Sequence, residues 1–247
     1  IVYAAKKCGV KKIYKTGGAH TIAALAYGTK KFEKVDKIVG PGNTFVAYAK
    51  KEVFGDVGID MVAGPSEVSV VADKSSNPDL VAADLIAQAE HDVSAQSILI
   101  TDDGSLADKV LNNVDDQISS LPRKDIVLKS WNNNGSIIIV SGIEEAIKLA
   151  NILAPEHLEL ALKDSKNYIK EVKKAGAIFI GNNTPEAIGD YIAGPSHVLP
   201  TSKSARFSSG LSVNDFIKKT SVIECSEESL NEIGRSAVEI AINEGLD

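Results

Sequence analysis

VSVVADKSSNPDLVAADLIAQAEHDVSAQSILIT, residues 68–101, contains two short apolar runs on either side of a longer helical pattern. Val68–Ala72 and Ser97–Thr101 have the length and apolar content of buried strands. Between them, Asp79–His91 carries apolar residues at helical spacing. A strand, a helix and a second strand at this spacing predict a βαβ unit with two parallel strands.

The same alternation of apolar runs and helical patterns extends along the chain in both directions. Further strands are predicted at Lys12–Tyr14, Lys37–Val39, Ser136–Val140 and Ala177–Ile180. Helices are predicted at Thr21–Tyr27, Thr44–Phe54, Leu106–Ser120 and Glu144–Leu153, with the end of another at Ile1–Gly9 and a Lys-rich one before Ala177. This order favours an α/β fold, with mostly parallel sheets flanked by helices.

The character of the chain changes from residue 214 onward. Val213–Cys225 is predicted to supply a strand, and Glu227–Glu244 has the pattern of a polar amphipathic helix. The first residue is not Met and lies inside a helical pattern, and no cap follows the last helix. Both ends are therefore expected to be cut from a longer protein.

Composition excludes several classes of protein. The 247 residues carry a net charge of −6 with dispersed Lys, whereas nucleic-acid binding normally needs clustered basic residues. There is no apolar run of about 18 residues and no secretory signal. Cys8 and Cys225 lie far apart and give no disulfide framework. A cytoplasmic protein without nucleic-acid or membrane partners is expected.

Gln88 and His91 form the first candidate site. They lie three residues apart in the predicted helix Asp79–His91, so both side chains can point at one ligand. One amide oxygen and one imidazole nitrogen are donors that zinc accepts. The alternative is a polar helix end, where a histidine interacts favourably with the helix dipole.

Glu156 and His157 form the second, directly after Pro155 in a predicted turn. A turn at the mouth of an α/β sheet is a usual place for catalytic groups. Histidine titrates nearest neutral pH, which suits removal of a proton from an alcohol, and a partly buried Glu would serve as a second base toward water. The alternative is a solvated loop.

The third candidate is GDYIAGPSHVLPT, residues 189–201, where Gly and Pro predict an irregular segment. Asp190 would be an anionic zinc ligand, and His197 would orient a ligand or the substrate. The alternative is an ordinary connection rich in turns. Two smaller loops, GPGNT at residues 40–44 and GPSE at residues 64–67, offer backbone N–H groups and a hydroxyl to a polar ligand. The first lacks the full dinucleotide fingerprint.

Taken together and in order, these motifs resemble those of the histidinol dehydrogenase family along essentially the whole chain. The matching stretches are GGAHTIAALAYGT, GPGNTFVAYAK, IDMVAGPSEV, DLIAQAEHD, APEHLEL, AGAIFIGNNTPEAIGDYIAGPSHVLPT, FSSGLSVNDF and NEGLD. The resemblance implies an aldehyde-dehydrogenase-like α/β architecture, here a C-terminal part of the family chain. It also implies a zinc- and NAD-dependent enzyme that oxidises L-histidinol to L-histidine, the last step of histidine biosynthesis, in two hydride transfers through a bound aldehyde.

The resemblance also implies a role for individual residues. By it, the zinc ligands are Gln88, His91 and Asp190, and the proton acceptors are Glu156 and His157. By it, the residues that contact the substrate are Ser66, Gln88, His91, His157, Asp190 and Glu244. Asn43 matches a position that contacts NAD, and His20 stands where the family usually has a glutamine that does so. A fourth zinc ligand, a histidine, is expected beyond Asp247.

The resemblance further implies a homodimer in which Glu244 acts across the interface. The expected organisation is then 1–62 as the end of a nucleotide-binding-like domain, 63–213 as the domain of the metal and catalytic motifs, and 214–247 as a dimerisation segment. Two other functions fit the same residues: a related zinc-dependent dehydrogenase of another small polar alcohol, and an inactive fragment that binds ligands. An aldehyde dehydrogenase is disfavoured, because neither Cys8 nor Cys225 has the setting of a nucleophile.

Overall fold

The computed structural model of the chain describes residues 1–246 and divides into two compact units. The first runs from Ile1 to Ser212, and the second begins at Val213. Within the described residues the strands are β1 Lys37–Ile38, β2 Gly58–Ile59, β3 Glu67–Ala72, β4 Gln96–Thr101, β5 Gly135–Ile139, β6 His157–Ala161 and β7 Ala177–Ile180. The helices are α1 Val2–Lys7, α2 Ala19–Tyr27, α3 Thr44–Val53, α4 Pro78–His91, α5 Gly104–Ser119, α6 Lys124–Asn134, α7 Ile143–Leu153, α8 Glu186–Tyr191 and α9 Glu227–Asn243.

The main sheet is parallel throughout and has the order β5-β4-β3-β6-β7. Helices cover both of its faces. In β3, Val68, Val70 and Ala72 belong to a core cluster shared with α4, α5 and α6, whereas Val71 belongs to a cluster shared with α7. Successive strand residues point to opposite faces, and both faces are covered, which explains why four of the six residues of β3 are apolar. The predicted α/β fold with a parallel sheet is confirmed.

A second, smaller sheet pairs β1 with β2, again in parallel. It packs with α2 and α3 around a small core that contains Ile22, Ala26, Ile38, Val53 and Val57. The loops that follow β1 and β2 both end at the cleft described below. This layer therefore positions the GPGNT loop relative to the main sheet.

Three sequence predictions are wrong. Lys12–Tyr14 and Val213–Cys225 form no strand, because both segments are largely exposed and pair with no strand among residues 1–246. Within the second segment, Val213–Phe216 forms a 3-10 helix. The Lys-rich helix before Ala177 is a single 3-10 turn at Ser165–Tyr168. Four elements were not predicted: the two-residue strand β2, α6, whose sequence is largely polar, β6, which begins inside the predicted turn, and α8, which opens the predicted irregular segment.

The second unit consists of the short 3-10 helix, an extended stretch and α9. Ser226 caps α9 by accepting a hydrogen bond from the Ser229 N–H at 3.1 Å, as its residue type favours. Glu244 stands at the C-terminal cap of that helix. No helix within residues 1–246 has the length and apolar content needed to cross a membrane.

Candidate active site

The candidate site lies at the amino ends of β3 and β6, not at the carboxyl ends expected from the usual location of catalytic turns. In a parallel sheet the connecting helices run against the strands, so the last turn of α4 and the first residues of β6 meet at the same edge. Gln88 and His91 therefore lie near Glu156 and His157, as the sequence motifs required. Asp190 joins them from α8, which covers the first three residues of the segment predicted to be irregular, while residues 192–201 have no helix or strand, as predicted.

His157 is buried and held by its Nδ1 atom. This nitrogen lies 2.9 Å from the backbone oxygen of Glu67 and 3.1 Å from the side-chain oxygen of Gln88. A carbonyl oxygen only accepts hydrogen bonds, so Nδ1 carries the hydrogen and Nε2 has the free lone pair. The solvated loop is therefore wrong as an alternative: His157 is the first residue of β6 and 3 % exposed, with its basic nitrogen fixed in direction.

His197 and Asp190 complete a chain of polar groups in front of that nitrogen. The Nε2 atoms of His157 and His197 are 2.8 Å apart, so His197 donates and His157 accepts. The same His197 nitrogen lies 3.1 Å from one oxygen of Asp190. The other Asp190 oxygen is 3.8 Å from His91 Nε2. The structure thus connects the predicted ligands His91 and Asp190 to the predicted base His157 through the side chain of His197.

Glu156 is buried beside the same strand end. Its Oε2 accepts a hydrogen bond from the Glu67 N–H at 3.1 Å. Burial, with a smaller contribution from the nearby carboxylates of Glu67, Glu186 and Asp190, raises the pKa of Glu156 to about 8, although that hydrogen bond acts to lower it. Burial, together with His197, lowers the pKa of His157 to about 4, so its imidazole is neutral around pH 7.

Glu156→Gln is expected to stabilise the metal-free protein at alkaline pH. The folded state retains a proton that the unfolded chain releases near 4.5, so the wild-type free energy of unfolding falls as pH rises from about 4.5 to about 8. Glutamine stays neutral and still accepts the Glu67 N–H, which removes this loss. We expect variant and wild type to have equal free energies of unfolding at pH 4.5, and the variant to be more stable by about 3 kcal/mol at pH 8.

Urea unfolding of both proteins in a chelator across this pH range measures the effect. The difference between the two curves isolates Glu156 from the opposite contribution of His157, whose lowered pKa makes stability rise with pH between about 4 and 6.5. Parallel curves for wild type and variant would show that Glu156 is ionised in the folded protein at neutral pH.

Glu186 is a site residue that sequence reasoning missed. Its carboxylate is buried, and among residues 1–246 neither oxygen has a hydrogen-bond partner. One oxygen lies 3.6 Å from His157 Nε2 and 4.0 Å from His197 Nε2. Its backbone N–H is bonded to the buried carboxyl of Glu159 at 2.7 Å, which fixes the start of α8. A Pro-Glu pair opening a short helix gives no signal of this role in the sequence.

The residues present fit a zinc ion. Imidazole, carboxylate and amide groups of His91, Asp190 and Gln88 are ligands that zinc accepts. His91 Nε2 and Asp190 Oδ2 lie 3.8 Å apart, a separation that one ion bound to both atoms can span. The amide of Gln88 is fully buried, and its oxygen lies near the same strand end, 3.1 Å from His157 Nδ1. His157, Glu186 and His197 also place potential ligand atoms within 4.8 Å of one another. An ion held by these three residues would bind the basic nitrogen of His157 and prevent it from accepting a proton. This favours Gln88, His91 and Asp190 as the ligands.

A cleft of about 700 Å³ opens beside this cluster. Its walls include the predicted substrate residues Ser66 and His91 and the predicted cofactor residue Asn43. Asn43 caps α3 by accepting the Val46 N–H at 3.1 Å. His20 lies in the first turn of α2, is exposed, and is not among the residues that line this cleft. Glu244 belongs to the second unit.

Gly189→Ala is expected to destabilise the protein and displace α8. A Cβ at this position would lie 2.7 Å from both His197 Cε1 and Phe179 Cζ, closer than packed atoms allow. Overpacking of this kind costs about 1–3 kcal/mol, measured by denaturant unfolding. Gly104→Ala is the control, because its Cβ would meet only Ile139 Cδ1 at 3.9 Å. Equal stability of the two variants would mean that α8 adjusts freely.

Comparison with known proteins identifies the family of this chain. The family model described as histidinol dehydrogenase matches residues 1–247. The chain belongs to the histidinol dehydrogenase family. It is 57% identical to the histidinol dehydrogenase of Rhodospirillum rubrum over 248 residues, which covers 100% of this chain and 57% of that protein. The chain thus spans a little over half the length of the relatives it matches.

Solved structures support the same family and show its fold. The crystal structure of histidinol dehydrogenase from Elizabethkingia anophelis superposes with a TM-score of 0.92 at 42% identity, covering 100% of this chain and 57% of that one. AldH of Staphylococcus aureus, at 12% identity, has a TM-score of 0.50 over 90% of this chain and 63% of that one, and this likeness concerns the fold alone. The predicted aldehyde-dehydrogenase-like architecture is confirmed.

Proposed function

We propose that this chain forms the metal- and substrate-binding part of an enzyme that oxidises L-histidinol to L-histidine with two molecules of NAD. The observation that supports it best is the fixed direction of His157: Nδ1 is bonded to Glu67, and the basic Nε2 faces His197, which in turn lies 3.1 Å from Asp190. A neutral imidazole with an oriented lone pair is suited to take the proton of an alcohol. Membership of the histidinol dehydrogenase family names the alcohol.

Gln88, His91 and Asp190 would hold zinc, which fixes the amine and imidazole of the substrate as a template. NAD, placed along the cleft wall that contains Asn43, would accept the hydride. His157 Nε2 receives the hydroxyl proton in the first oxidation, and the His197 side chain steadies that nitrogen beforehand. In the second oxidation, Glu156 accepts a proton from the water that adds to the aldehyde. Because burial raises the pKa of Glu156 to about 8, this step should accelerate as pH rises through that value.

We also propose that the complete protein is a homodimer whose Glu244 contacts substrate held by the partner subunit. The same residues fit a related zinc-dependent dehydrogenase of another small polar alcohol. The alcohol that the protein binds and oxidises distinguishes this function from oxidation of L-histidinol. Because the chain spans 57% of its relatives, a fragment that binds ligands without turnover is a third outcome.

Calorimetry with L-histidinol, with and without zinc, tests the proposal. Histamine lacks the alcohol and leucinol lacks the imidazole, so these two compounds show which groups are recognised. Binding that needs zinc and the imidazole supports histidinol as substrate. Equal binding of leucinol would instead favour the other polar alcohols, and zinc-independent binding would refute the metal site.

A further inference from the structure

Lys50 and Asp60 form an ion pair buried under the GPGNT loop. Their side chains are 3 % and 1 % exposed, and Lys50 Nζ contacts Asp60 Oδ1 directly. Lys50 belongs to the buried face of α3, next to Ala47 and Val53. Replacing a buried ion pair with apolar residues is often neutral for stability, so stability alone does not explain why charges occupy this position.

The pair holds both backbone groups of Gly40. The Gly40 N–H donates to Asp60 Oδ2 at 2.7 Å, and the Gly40 oxygen accepts from Lys50 Nζ at 2.9 Å. Asp60 Oδ1 also accepts the Met61 N–H at 2.7 Å. Gly40 has a φ of 113°, a backbone conformation that side chains other than glycine disfavour. The ion pair therefore fixes the direction in which the chain leaves β1.

The same contacts connect two walls of the 700 Å³ cleft. Gly42, Asn43 and Thr44 form one wall and follow Gly40 within four residues. Residues 62–66 line the cleft as well and begin two residues after Asp60. A Cβ at Gly42 would lie 2.4 Å from Val46, so the first wall is already packed tightly against α3. The relative position of the walls thus depends on the bonds that join Gly40, Lys50 and Asp60.

We infer that Lys50 and Asp60 are positioning residues that set the separation of these two walls and thereby the affinity for a dinucleotide. The inference rests on the proposed function, because it assigns the Asn43 wall to NAD. Within residues 1–246, no hydrogen bond or ion pair joins Lys50 or Asp60 to the proposed metal ligands or to His157. It should therefore act on the cofactor and leave zinc-dependent binding of the substrate unchanged.

Lys50→Met keeps the length and apolar stem of the side chain and removes its charge and donors. We expect NAD affinity, measured by calorimetry, to fall about tenfold or more, since small misplacements of binding groups have effects of this size. The zinc-dependent affinity for L-histidinol should change less than about twofold. Lys109→Met, an exposed position in α5, is the control for loss of one positive charge. Asp60→Asn is a second variant, because its amide oxygen still accepts the Gly40 N–H.

Amide hydrogen exchange supplies a readout independent of ligands. Faster exchange at Gly40 and Met61 in Lys50→Met, with the main sheet unchanged, is the expected result. Unchanged NAD affinity in a folded Lys50→Met, or equal losses for NAD and L-histidinol, would overturn the inference. So would a wild-type chain that binds L-histidinol with zinc but not NAD, and in that case the metal and substrate part of the proposed function would survive. A chain that binds none of the three would refute the proposed function itself.

Discussion

His91→Ala is expected to abolish zinc-dependent binding of L-histidinol. His91 supplies the one imidazole that residues 1–246 contribute to the proposed ligand set, and its Nε2 lies 3.8 Å from Asp190. Removing a residue that only supports a metal ligand weakens binding about 10–100-fold, so loss of a direct ligand should exceed about 100-fold. The histidinol affinity should fall with it, because the proposed role of zinc is to hold the substrate.

Zinc affinity and histidinol affinity are measured by calorimetry on the same preparations, after a cooperative melt shows that each is folded. His20→Ala is the matched control, since it deletes an imidazole that lies in α2 and outside the cluster. Zinc binding of wild-type strength in His91→Ala would contradict the ligand set. The ion would then have to be held by His157, Glu186 and His197, whose potential ligand atoms lie within 4.8 Å of one another.

The parallel sheet could be predicted from sequence because its strands are apolar on both faces. Val68–Ala72 and Ser97–Thr101 are short, apolar and separated by a helix with an Asn77 cap and Pro78 at its start, so the local signals agree. Lys12–Tyr14 carries a similar apolar signal in a shorter run. A strand also needs a neighbour to pair with, and sequence patterns do not report whether that neighbour exists.

In the candidate site, likewise, sequence predicts the contacts between residues of one helix but not the contacts between distant parts of the chain. Gln88 and His91 share one helix, so their common direction follows from spacing alone. The bond between Gln88 and His157 joins residues 69 positions apart, and only the fold brings them together. Glu186 illustrates the limit. Its two buried carboxylate oxygens have no hydrogen-bond partner among residues 1–246, and this is a property of the packed structure that residue order does not indicate.

His157→Asn is expected to lower the rate of NADH formation about 10³-fold while zinc and L-histidinol still bind. General base catalysis contributes about 10²–10⁴-fold. The asparagine amide can still donate to the Glu67 oxygen, as His157 Nδ1 does over 2.9 Å, so the start of β6 should keep its place. What disappears is the nitrogen that faces His197, and with it the acceptor for the hydroxyl proton.

His197→Asn should have a smaller effect, because it removes the donor to His157 Nε2 and leaves the base itself. Absorbance of NADH under single-turnover conditions measures both variants against wild type, with calorimetry to confirm that ligands bind. A His157→Asn rate within about tenfold of wild type would exclude His157 as the base. Wild-type binding of zinc and L-histidinol without any NADH would identify this chain as a binding part of the enzyme. The chemistry would then require the segments by which its relatives are longer.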